Sequence, residues 1–276
     1  MRGLELPELP EVETTVRGVQ PFVTGVRITG VVVRQRQLRW LVPRGLTRTL
    51  SGHKVASVSR RAKYILLNFS HGTLMIHLGM SGRLRVVPVD TPAQKHDHVD
   101  LVLGSKKVLR FHDPRRFGSV LWIKGGIQNS VLLRRLGPEP FDDVLTGDVL
   151  HRLSRGRRTS IKQFIMDGRI LVGVGNIYAS ESLFRAGIRP GRAAGRVSLS
   201  QFQRLLDAIR KVLSEAIDAG GTTLRDYAQV SGEPGYFEQS LDVYERAGVA
   251  CVNCGSPIRR KVIGQRASYY CPQCQS

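Results

Sequence analysis

The stretch KYILLNFSHGTLMIHLGMSGRLRVV, residues 63–87, decides the fold of the larger part of the chain. Three short apolar runs, KYILLNF, TLMIHL and RLRVV, are rich in leucine, β-branched and aromatic residues, and glycine or small polar residues punctuate them. Runs this short with turn residues between them are strands rather than helices. The pattern continues on both sides. VRITGVVV and KVASVS come before it, and VDLVL, KVLRF and SVLWI follow up to Ile123. About eight strands at this spacing predict a β-sandwich.

Outside that block the period changes. Leu9, Val12, Val16 and Val19 recur at helical spacing just after Pro7 and Pro10, and proline is tolerated in a first helical turn, so a helix starts near the N-terminus. Beyond Ile123, LGPEPFDD with Pro138 and Pro140 reads as a linker, after which strand signals largely stop. Helices are expected over 142–153, 161–166, 178–186 and 200–218. The last carries Phe202, Leu205, Leu206, Ile209, Val212, Leu213 and Ile217 on one face and ends at Gly220 and Gly221. The expected organisation is α+β: an N-terminal domain over 1–130, a linker over 131–141, a helical domain over 142–242 and a small module over 243–276.

That module holds all four cysteines, as Cys251-x2-Cys254 and Cys271-x2-Cys274. Two such turns close a tetrahedral shell of four thiolates with no open position, so the expected ligand is one structural zinc ion. The alternative is a pair of disulfides or a redox dithiol. Between the turns lies RRKVIGQRASYY, a basic and aromatic hairpin suited either to a nucleic-acid backbone or to plain solvation.

The 276 residues include 42 Lys and Arg against 22 Asp and Glu, a net charge of +20. Such a chain seeks polyanions, with nucleic acid ahead of an anionic membrane surface. No run approaches the roughly 18 apolar residues of a membrane span, and the first residues lack a secretory pattern, so a cytoplasmic protein is expected.

PELPEVETT at 7–15 resembles the start of the formamidopyrimidine-DNA glycosylases, bacterial enzymes that remove oxidised purines. RRAKYILL around Lys63, HLGMSG at 77–82, KHDHVDLV from Lys95, DPRRFG from Asp113, VGVGNIYASESLF from Val172, GGTTLRDY from Gly220, PGYF from Pro234 and QRASYYC before the last cysteines continue the likeness in the family's order. The resemblance implies a β-sandwich joined to a helix-two-turn-helix domain ending in a zinc finger. It also implies a monomeric, nucleoid-associated enzyme acting on duplex DNA that contains oxidised bases or abasic sites.

The same resemblance assigns roles. The free amine of Pro7 would attack C1′ of the damaged nucleotide; a secondary amine gives an iminium ion, an electron sink for β- and then δ-elimination. Glu8 would be the general acid and Glu11 part of its cluster, although a glutamate at a helix N-terminus is also favoured by the dipole alone. Lys63, read from pattern as an exposed strand lysine, would serve β-elimination, and Arg266 δ-elimination. Met80, Arg115 and Phe117 would fill the hole left by the flipped base. Phosphates would be held by His77, His96, Arg115, Arg157, Lys162, Asn176 and Arg266. Thr222, Thr223, Leu224, Arg225, Asp226 and Tyr227 would cap the lesion, with Arg225 where well-known members carry lysine. His53 and His71 match nothing and read as surface residues, and the cluster Arg152, Arg155, Arg157 and Arg158 would otherwise be a solvated face.

The chain departs from the family in one respect: Met1 to Leu6 precede Pro7, and an acylated proline has no nucleophilic lone pair. Leu6 stands where the family has its initiator methionine, so the expectation is a start at Leu6 followed by trimming to expose Pro7. The rival expectations are an endonuclease VIII-type enzyme for oxidised pyrimidines, which typically opens PEGPE, and a non-catalytic lesion-binding protein if Pro7 is never freed.

Overall fold

A computed structural model describes residues 7–220 and 241–276. The expected capping loop, Thr222 to Tyr227, lies outside the described residues. The described residues fall into two compact units, the first running to Arg134 and taking in Gly220, the second made of Arg135–Ala219 and residues 241–276.

The first unit opens with α1 (Leu9–Val23). Pro10 lies in its first turn, where no backbone donor is needed, and the Glu11 carboxylate accepts the Glu8 backbone N–H at 2.8 Å. Its buried stripe contains Leu9, Val12, Val16 and Val19, as the periodicity predicts, and adds Val23. Eight strands follow: β1 (Ile28–Val33), β2 (Ser57–Arg61), β3 (Tyr64–Phe69), β4 (Gly72–His77), β5 (Arg83–Pro88), β6 (Asp97–Leu103), β7 (Lys107–His112) and β8 (Ser119–Lys124). They form two antiparallel four-stranded sheets, β1-β6-β7-β5 and β2-β3-β4-β8. Leu74, Ile76 and Val120 from one sheet and Leu84, Val99, Leu101, Leu109 and Phe111 from the other are buried in one core. Each such side chain stabilises the sandwich by about 1.5–3 kcal/mol. Two short helices that the pattern did not suggest, α2 (Leu46–Leu50) and α3 (Val131–Arg134), complete the unit, α3 falling in the expected linker.

Two expectations about single residues change here. Lys63 is not in a strand. Arg61 pairs with Tyr64, so Ala62 and Lys63 form a two-residue hairpin turn, made possible by the left-handed φ of 52° at Ala62. His71 is not a surface residue either: its half-buried ring lies 5.0 Å from that of Trp122, and its Nε2 is 3.0 Å from the Thr49 carbonyl oxygen. His53 is exposed, as expected.

The second unit contains α4 (Gly147–Ser154), α5 (Ile161–Ile165), α6 (Asn176–Arg185) and α7 (Leu199–Asp218). The first of these starts later than expected. Asp142 spends its carboxylate on the Glu139 N–H at 2.8 Å, forming a turn, and Thr146 is the cap that starts the helix. Ser198 and Gln201 form a capping box for α7, whose buried face includes six of the seven predicted apolar residues; the seventh, Ile217, is half-buried. The cysteine segment belongs to the same unit and adds the hairpin β9 (Arg259–Ile263) and β10 (Arg266–Tyr270). Gln275 bridges it to the helices, accepting the Cys271 N–H and donating to the Ile188 carbonyl, both at 2.8 Å.

Candidate functional site

In the first unit, Pro7 stands immediately before the N-terminus of α1, followed by two carboxylates withdrawn from solvent: Glu8 is 2% exposed and Glu11 0%. One turn further on, Glu13 pairs with Arg60 at 3.0 Å, and the same guanidinium donates to the Ala62 carbonyl at 2.9 Å. A single arginine on β2 therefore fixes α1 and the turn that carries Lys63 to each other.

Across the hairpin from Tyr64 lies His77, with ring centroids 4.9 Å apart. Its Nδ1 accepts the Gly79 N–H at 3.0 Å, which leaves the proton of the neutral ring on Nε2. Burial, with Lys63 and Arg39 nearby, pushes its pKa down to about 4. His77 is thus a neutral hydrogen-bond donor near pH 7 rather than a cation.

Two loops that carry expected site residues are joined beside it. Asp113, 0% exposed, accepts the Ser81 hydroxyl on Oδ1 and the Gly118 N–H on Oδ2, both at 2.7 Å. The Arg115 N–H reaches back to the Ser81 Oγ at 3.1 Å. Gly79 permits the approach. A Cβ there would lie 2.5 Å from backbone atoms of Phe117 and Gly118, and its φ is +70°. Met80, half-buried, Arg115 and Phe117 therefore sit on one rigid double loop. Phe117 is 44% exposed, with the Arg115 guanidinium 4.8 Å from its ring. An exposed aromatic on a locked loop can enter a gap between stacked bases.

His96 joins this cluster through its backbone, its carbonyl accepting the Asp113 N–H at 3.0 Å. Its left-handed φ of 84° is supported by Asp97, whose carboxylate takes the Gln94 N–H at 2.7 Å and sits 2.8 Å from both Arg85 and His112. Burial alone would raise the Asp97 pKa, but these three partners hold it below the usual carboxylate range.

In the second unit, Arg157 is exposed beyond α4, and Arg266 is exposed at the first position of β10. Gly264 and Gln265, both with positive φ, make the tight turn that presents it. Asn176 is the first residue of α6 and half-exposed, at the positive end of the helix. Lys162, expected to hold phosphate, is 1% exposed and faces protein: its Nζ lies 2.6 Å from Asn176 Oδ1, 2.8 Å from Ser268 Oγ and 2.9 Å from the Ala267 carbonyl.

The four cysteine sulfurs lie within 4.8 Å of one another, with Cys251 and Cys274 3.9 Å apart and Cys254 and Cys271 3.4 Å apart. These separations exceed a disulfide bond of about 2.05 Å. They fit the roughly 3.8 Å edge of a tetrahedron built on zinc–sulfur bonds of about 2.3 Å. The residues present thus suit one structural zinc ion, held by Cys251, Cys254, Cys271 and Cys274.

Comparison with known proteins agrees along the chain. Residues 6–120 match the formamidopyrimidine-DNA glycosylase N-terminal domain, residues 136–228 its H2TH domain, and residues 250–276 a zinc finger found in FPG and IleRS. The formamidopyrimidine-DNA glycosylase of Alkalilimnicola ehrlichii is 59% identical over 98% of this chain and all of its own length. The chain belongs to the formamidopyrimidine-DNA glycosylase family. Among solved structures, the Lactococcus lactis Fpg complex with DNA containing an abasic site is 29% identical, with a TM-score of 0.89 over 98% of this chain and 99% of that one. A variant of the same enzyme bound to DNA containing Fapy-dG is 30% identical, also with a TM-score of 0.89, over 98% and 100%.

The family motifs marked where site residues fall but not what holds them. Nothing in the sequence pattern marks the parts played by Asp113, Glu13, Arg60 and Glu181. Glu181 on α6 accepts the backbone N–H groups of Asp242, Val243 and Tyr244 at 2.8–3.0 Å, and burial raises its pKa to about 7. Asp113 and Glu181 lie inside quoted motifs, and only their burial distinguishes them from ordinary surface acids. No described helix is long and apolar enough to cross a membrane.

Proposed function

We propose that this chain is a bifunctional DNA glycosylase and abasic-site lyase that excises oxidised purines, 8-oxoguanine and formamidopyrimidines, from duplex DNA in the bacterial cytoplasm, where it associates with the nucleoid. The observation that carries the reading is a proline set directly before two buried carboxylates, in a chain of this family whose net charge is +20.

The Pro7 nitrogen uses its lone pair to attack C1′, and the glycosidic electrons leave with the base. Glu8 delivers the proton that opens the sugar. Loss of the C2′ proton then sends electrons into the iminium, and the 3′ phosphate departs; Lys63 moves the proton in this β-elimination. Arg266 steadies the remaining phosphate for δ-elimination, and water finally releases Pro7 from the sugar fragment. Meanwhile Met80, Arg115 and Phe117 fill the space of the extruded nucleotide. His77, His96, Arg115, Arg157, Asn176 and Arg266 hold the backbone, and residues 222–227 cap the lesion.

The attacking amine must be unacylated, so the active form is the one from which residues 1–6 are absent. Borohydride trapping on an 8-oxoguanine duplex tests the reading. A covalent adduct that peptide mass spectrometry places on the nitrogen of Pro7, from protein whose measured mass begins at Pro7, is the expected result. Absence of any adduct from protein with that mass rejects it. A stronger adduct on an oxidised-pyrimidine duplex would move the substrate to that class.

A further inference from the structure

We infer that Lys162 is a positioning residue, which turns the Asn176 amide towards DNA and pins the strand carrying Arg266, and is not itself a phosphate ligand. This rests on the DNA-binding reading above. An ammonium group has three protons and no lone pair. Among the described residues, three oxygens lie within hydrogen-bond reach of Lys162, those of the Asn176 amide, the Ser268 hydroxyl and the Ala267 carbonyl. With the side chain 1% exposed, its donors point into the protein.

The contact with Asn176 settles a choice the amide could otherwise make either way. Only the oxygen can face an ammonium, so Nδ2 is turned away from it and donates one N–H to the Tyr244 hydroxyl at 3.3 Å. The amide thus shows its donor end on the side away from Lys162, and a donor is what a phosphate oxygen requires. The amide is also the first residue of α6, a ten-residue helix whose N-terminal N–H groups favour an anion.

The other two contacts fall on the residues that directly follow Arg266 in β10. One buried cation thus ties a helix-end amide to the arginine strand of the hairpin. Keeping a charge in the interior costs several kcal/mol unless its partners satisfy it, so an aliphatic side chain would be the simpler choice for packing alone. The charge is retained for what it orients.

The salt dependence of binding separates the two roles. Each phosphate neutralised by a cation adds about 0.9 to the slope of log K against log salt. Binding to a duplex with a tetrahydrofuran abasic analogue is measured for the wild type, Lys162→Met, Asn176→Ala and the double variant. The expected result is binding about 10–100-fold weaker for Lys162→Met with the slope unchanged, and a double variant no weaker than Lys162→Met. A slope smaller by about 0.9, or losses that multiply, overturns the inference. If Lys162→Met does not fold, reductive methylation of the wild type decides. Lys162 should stay unmodified with or without the duplex, whereas methylation in the free protein and protection by DNA overturns the assignment. Failure of the wild type to bind the duplex at all would reject the functional reading instead.

Discussion

Asp113 accepts the Ser81 hydroxyl at 2.7 Å, and through that contact the loop of Met80 and the loop of Phe117 become one body. Both carboxylate oxygens are used, the second by the Gly118 N–H. In Asp113→Asn the NH2 must face either the Gly118 N–H, donor against donor, or the Ser81 oxygen, whose own proton then loses its acceptor. The expected loss is about 2–4 kcal/mol of stability, against about 1 kcal/mol for Ser81→Ala, measured by denaturant unfolding. Equal losses would mean that the contact with Ser81 carries the whole effect.

Gly79 and Gly156 both have left-handed backbones, with φ of +70° and +73°, but differ in their surroundings. A Cβ on Gly156 meets nothing within 4 Å, whereas one on Gly79 strikes the backbone of Phe117 and Gly118. Gly156→Ala should cost about 1–2 kcal/mol, from strain alone. Gly79→Ala should cost a further 1–3 kcal/mol or so and, on the proposed role of Phe117, weaken binding to an abasic duplex, since the loop of Phe117 must move. Thermal melts of the two variants side by side check the difference.

His77 gives stability a defined pH dependence. Its pKa falls from 6.5 to about 4 on folding, so the unfolded chain takes up the proton first as the pH drops. The stability tied to its neutral form is present above about pH 6.5 and is lost as the pH falls towards 4, at no more than about 1.4 kcal/mol per pH unit. Unfolding midpoints at pH 7 and pH 5 should converge in His77→Gln. An unchanged gap would assign the effect to another group.

Removing the metal should act on the second unit and spare the first. Chelation frees the hairpin that presents Arg266, and the Gln275 contacts to Cys271 and Ile188 go with it. Binding to the abasic duplex is expected to disappear while the circular dichroism of the sandwich persists, and zinc should restore binding. Intact binding after complete chelation would reject this role for the module.

The strands of the sandwich, the stripe of α1 and the cysteine spacing are legible in the sequence because each is a local pattern of period or spacing. Lys63 reads as a strand residue because a left-handed alanine at position 62 is an unusual turn former, and nothing in RRAKYILL announces it. The burial of Lys162 is invisible in the sequence for a similar reason: lysine is rarely buried, and the partners it has among the described residues lie in α6 and β10, far along the chain. Asp142 reads as the first residue of a helix until its bond to the Glu139 N–H shows that a turn has claimed it.

Arg60 has a consequence for timing. Its guanidinium grips Glu13 on α1 and the carbonyl of Ala62. A shift of α1 at Glu13 is therefore resisted by the Lys63 turn, and the nucleophile and proton carrier of the proposed reaction sit on segments braced by the same guanidinium. In the proposed reaction their encounter then depends on where the sugar settles, not on whether two independent parts happen to meet.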